Sequence, residues 1–192
     1  LLIVSTILTL ALPVNWYVPL SSLYWINALG VLIQFFTLVL FLRLLKPYMD
    51  SVLKQNSTLN FYLLRFTIFC FVLKSVLQLI SLIPEFSQVT YQHRNLVIGF
   101  IHLAMLGVIS GFLFYFILRS ELILNNSFLR LGIYSFLLGF ILTETALIIQ
   151  GGLFYFGNGF MPNYYLLLFL FSALLPIGIV LLIANLLNKR KA

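Results

Sequence analysis

Uninterrupted apolar segments of about 20 residues recur along this chain, and a helix of that length spans the ~30 Å hydrocarbon core of a bilayer. Spans are expected near residues 1–12 (truncated), 19–44, 61–83, 95–118, 128–150 and 164–187. Each must be helical, because an isolated strand would leave its backbone polar groups unpaired in lipid. The composition agrees: 62% of the 192 residues are hydrophobic and 8% are charged, against roughly 25% charged in a soluble domain. The expected fold class is therefore all-α, a polytopic transmembrane bundle of about six spans whose partner is the lipid bilayer.

Pro13 and Pro19 bracket the first connection, Pro47 is expected to end the second span and Pro84 the third. Pro176, inside the last apolar run, predicts a kink through its missing N–H. Twelve apolar residues at the start make only about 18 Å of helix. The chain is thus expected to be the C-terminal part of a longer one, cut inside a helix, with helices of that chain or other membrane subunits as partners.

Of the 11 basic residues, nine lie in alternate connections and the tail: Arg43, Lys46, Lys54, Arg65, Arg119, Arg130, Lys189, Arg190 and Lys191. The positive-inside rule makes that side, and the C-terminus, cytoplasmic. Trp16, Tyr17, Tyr24, Trp25, Tyr155, Tyr164 and Tyr165 gather toward the opposite face as an aromatic belt. The net charge of +7 therefore orients helices and does not indicate nucleic acid. The single Cys70 allows no intrachain disulfide, and the sequons at Asn56 and Asn125 fall on the cytoplasmic side. No hydrolytic motif or phosphate-cradling loop is present.

Ionisable groups inside a membrane are costly and need a reason. Counting 1.5 Å per residue from the outer ends puts Lys74 about 15 Å deep, Gln78 about 9 Å, His102 about 11 Å and Glu144 about 9 Å. These four form a candidate polar pocket in the outer half, on three consecutive helices. Lys74, Gln78 and Ser81 share one helical face; Asn95, Gly99 and His102 share another; Gly107 and Gly111 form a small-residue stripe suited to close helix contact. Three roles for His102 follow: a packed group satisfied by neighbours such as Gln78, a cofactor ligand, or a proton carrier in transport. Lys74 and Glu144 are candidates for a buried ion pair. Arg94, at the outer mouth, is placed to meet an anionic group such as a propionate or lipid phosphate.

The stretch VIGFIHLAMLGVISGFLFYF, residues 97–116, resembles the tenth helix of subunit I of haem-copper oxidases and nitric oxide reductases, which carries a His-x-His pair and then a glycine. His102 matches the second histidine and Gly107 the glycine, and the six spans would correspond to the seventh through twelfth helices. The resemblance implies His102 as axial ligand of one haem b, Arg94 as a propionate contact, and membrane electron transfer in a bacterial inner membrane. Phe100 stands where the family has its first histidine, so it implies no oxygen-reducing centre in this segment. The alternatives are a transporter or channel-like protein using the outer-half pocket, and a non-catalytic structural or assembly subunit.

Overall fold

A computed structural model describes residues 1–55, 58–120 and 126–189, and they are helical almost throughout. Along the chain these are α1 (Leu2–Thr9), α2 (Ala11–Tyr17), α3 (Ser21–Gln55), α4 (Thr58–Ile80), α5 (Pro84–Gln92), α6 (Arg94–His102), a π-helical segment (Leu103–Ile109), α7 (Ser110–Arg119), α8 (Ser127–Tyr155) and α9 (Tyr164–Lys189). Among the described residues five helical stretches are long and apolar enough to cross a membrane: 21–49, 59–80, 94–119, 127–155 and 164–187. Arg190, Lys191 and the sequon residues Asn56, Ser57 and Asn125 lie outside the described residues.

Two boundaries differ from expectation, both at prolines. Helix α2 runs through Pro13, which sits in its first turn, where a backbone N–H has no intrahelical acceptor to lose. Helix α3 continues past Pro47 to Gln55, so that proline lies within the helix. Pro84 does close a span, but as the first residue of α5, a position its fixed φ suits. The segment after it, read as a connection, is a nine-residue helix with Glu85 in its first turn, where a negative charge meets the positive end of the helix dipole. Pro176, where a kink is expected, lies inside α9.

The chain forms two compact units, Leu1–Ser57 with Phe71–Gln92 and Thr58–Cys70 with His93–Ala192. In the first, α1 lies so close to α3 that a Cβ on Gly30 would stand 2.7 Å from the Leu8 Cβ. Trp16 donates to the Ser87 hydroxyl at 3.1 Å, and Tyr24 donates to the Leu82 carbonyl at 2.8 Å. Two residues of the expected aromatic belt thus tie the ends of helices together, while Tyr17 and Trp25 are exposed.

In the second unit α8 and α9 pack along their lengths. Gly132 and Gly178 face each other across that contact, and Gly139 lies against Leu174 and the Phe171 carbonyl. Such backbone approach is how apolar helices gain dispersion contact when no water remains to be expelled. Asn126 caps α8 by accepting from the Leu129 N–H and exchanges amide contacts with Asn185 on α9. The Gly107/Gly111 stripe is used as expected: Gly107 meets Cys70 and Phe140, and Gly111 meets Thr67.

A Cβ on Gly178 would stand 2.6 Å from the Gly132 carbonyl oxygen, whereas one on Gly152 meets nothing within 4 Å. Gly178→Ala is therefore expected to lower stability by about 1–3 kcal/mol, and Gly152→Ala to leave it unchanged, in thermal unfolding of the purified protein.

Candidate functional site

The second unit holds a cavity of about 380 Å³ beside the connection between α8 and α9. Helix α6 contributes Asn95, Ile98 and His102; α8 contributes Thr143, Leu147 and Phe154. The connection and α9 complete it with Phe160, Tyr164, Tyr165, Leu168 and Ser172. Ile98 and Tyr165 are themselves exposed, so the cavity opens at the surface.

His102 and Glu144 meet here. Gly99, one turn before His102, lets α6 approach α8 closely enough that a Cβ there would be 3.4 Å from Glu144 Oε2. His102 Nδ1 then lies 3.5 Å from Glu144 Oε1, with the side chains 35% and 13% exposed. That distance is an ion-pair contact and is too long for a well-formed hydrogen bond; both atoms are buried without a hydrogen-bond partner. They are each other's nearest remedy, since closing the gap by about 0.5 Å gives an ordinary N–H···O bond. With Nδ1 turned to the carboxylate, the other ring nitrogen, Nε2, is the imidazole's acceptor for the cavity.

Two hydroxyls in the lining have their protons committed to the backbone. Thr143 donates to the Gly139 and Phe140 carbonyls at 2.8 and 2.9 Å, and Ser172 donates to the Phe169 carbonyl at 3.0 Å. Ser172 retains acceptor capacity for a ligand, whereas Thr143 is fully buried.

Aromatic rings form the rim. Phe154 and Phe160 pack edge to face at 4.8 Å, Phe160 and Tyr165 are tilted at 5.9 Å, and Tyr164 and Tyr165 are 5.2 Å apart. His93 stacks on Phe154 at 6.2 Å. Tyr164, expected in the interfacial belt, is buried in the cavity wall.

Gln150 fixes the rim. It is fully buried at 0% exposure, its Oε1 accepts the Met161 N–H at 2.9 Å, and its Nε2 donates to the Gly159 carbonyl at 3.1 Å. The connection it holds contains Gly157, Gly159 and Asn163 at positive φ, a conformation glycine and asparagine adopt most easily. Its signal in the sequence was an amide in an apolar helix just ahead of GGLFYFGNG.

Lys74, Gln78 and Arg94 are not among the residues that line the cavity. Lys74 and Gln78 belong to the first unit, both half-buried, with Gln78 Oε1 lacking a hydrogen-bond partner. Arg94 is exposed at the start of α6 and is not part of the cavity lining. Two buried amides on α3 were not singled out from sequence: Asn27 at 1% and Gln34 at 3% exposure. Among the described residues no cluster of three or more His, Cys, Asp or Glu could hold a metal ion by itself.

Replacing Gln150 by Leu leaves the Met161 N–H and Gly159 carbonyl without partners, a loss of about 1–3 kcal/mol. Amide hydrogen exchange in residues 156–163 is expected to accelerate by at least tenfold in Gln150→Leu, with α8 below it protected as before. Among known proteins, no family, no curated protein and no solved structure matches the chain.

Proposed function

We propose that this is a ligand-binding multi-pass protein of a bacterial inner membrane, transporter-like in character. Its cavity receives a small ligand from the outer side, with His102 as the acceptor that meets it and Glu144 as the charge behind the imidazole. The observation that carries this reading is the His102–Glu144 contact at the wall of an open cavity in the outer half of the bundle. Paired ionisable groups that face the interior of a membrane bundle mark ligand or proton routes by default.

A second reading is supported by the same contact. An imidazole backed by a carboxylate is the arrangement that orients metal-ligating histidines. In a divergent relative of haem-copper oxidase subunit I, His102 Nε2 would hold one axial position of a haem b and Arg94 would meet a propionate. The imidazole donor fits haem iron, and among the described residues that line the cavity no other side chain is an imidazole. When bound, the haem would supply one-electron transfer.

Two measurements on one preparation separate these readings. In a Cys70→Ala background, Asn95→Cys and Ser172→Cys are expected to react with a membrane-impermeant thiol reagent added from outside. Reaction from the inner side only, or none, would contradict an outward-facing cavity. The second reading expects a haem b band in the reduced-minus-oxidised spectrum that His102→Ala abolishes; a colourless, folded wild-type protein would remove it.

A further inference from the structure

The lining of the cavity selects for charge, and resting on the ligand-pocket reading above, we propose that the ligand is a compact organic ammonium ion carrying a hydroxyl or N–H donor. Three independent features point to a cation with a donor and away from an anion.

The first is the rim. Four rings, Phe154, Phe160, Tyr164 and Tyr165, line one small space, and neighbouring rings in the set stand 4.8–5.9 Å apart. A cation held among such rings lies within the ~6 Å over which ring quadrupoles attract it. An aromatic enclosure is a poor place for a carboxylate or phosphate, which loses hydration and meets negative ring faces.

The second is the polar complement. Thr143 and Ser172 have committed their protons to backbone carbonyls, and His102 turns Nδ1 to Glu144. Ser172 and His102 therefore offer the cavity a lone pair, while Thr143 is fully buried and the Asn95 amide and the two tyrosine hydroxyls can accept as well as donate. An anion would need donors in these places, whereas an ammonium N–H or a ligand hydroxyl finds acceptors.

The third is the sign of the field. Among the described residues no lysine or arginine lines the cavity, and the Glu144 carboxylate lies one imidazole away, largely removed from water. Coulomb attraction in such a setting is several times stronger than at a surface. At about 380 Å³ the cavity lies at the small end of the range for ligand sites, which suits a compact cation over a large amphiphile.

Choline and its uncharged isostere 3,3-dimethylbutan-1-ol separate charge from shape, because both present a hydroxyl and the same apolar outline. In calorimetric titration of the full-length protein, choline is expected to bind at least tenfold more tightly than the isostere. Glu144→Gln is expected to weaken choline about tenfold and leave the isostere unaffected. Tyr165→Leu, at an exposed rim position, is expected to weaken choline several-fold in a protein that folds normally. Equal binding of the two compounds, or binding of neither, would overturn the proposal. If Asn95→Cys and Ser172→Cys are labelled from outside while choline shows no preference, the ammonium assignment fails and the open cavity stands. If neither is labelled, the cavity reading itself fails.

Discussion

The close approach of α6 to α8 at Gly99 is the contact on which the site depends. A Cβ there would stand 3.4 Å from Glu144 Oε2 and 3.9 Å from the Leu147 Cβ, so α6 meets α8 at van der Waals distance beside the carboxylate. The carboxylate lies on α8 between Thr143 and Thr145, whose protons go to backbone carbonyls, and a charge in that position needs a neighbour able to donate or to carry opposite charge. His102, three residues after Gly99 and so on the same side of α6, is that neighbour. The contact gives each of two costly polar groups a neighbour that can answer it.

The π-helical segment after His102 serves the same arrangement. At 3.6 residues per turn, His102 and Gly107 would point about 140° apart. The wider turn of residues 103–109, accompanied by the Ser110 hydroxyl donating back to the Met105 carbonyl at 3.1 Å, reduces that divergence. His102 then faces Glu144 on α8 while Gly107 packs against Phe140 of the same helix and Cys70 of α4. Both ends of the segment use α8 as a partner. π-helical turns recur at functional sites for this reason: they change the phase of one face relative to the next.

Much of this architecture was legible in the sequence, because lipid leaves few choices. The five long spans follow from apolar length, and the Gly107/Gly111 stripe from small residues four apart. His102 and Glu144 stood out as ionisable groups at similar depth. What was not legible depends on contacts between distant residues or on local geometry without a periodic signature. Helix α5 is short and polar enough to pass for a connection. The π-helical turn leaves no mark in a uniformly apolar run. Gln150 acts through an eleven-residue reach to Met161, and Tyr164 reads as an interfacial tyrosine until its burial in the cavity wall is known. Proline misleads in the other direction: Pro13 and Pro47 look like terminators and both lie within helices.

The site turns on the orientation of one imidazole, with Nδ1 directed to Glu144 and Nε2 left as an acceptor. Nitrogen-15 NMR of His102 in the membrane-embedded protein reads that directly, with the His102 signals assigned by their loss in His102→Ala. The neutral ring is expected as the Nδ1–H tautomer, with its Nδ1 resonance shifted when Glu144 is replaced by Gln. An Nε2–H tautomer, or a spectrum indifferent to Glu144→Gln, would contradict the account.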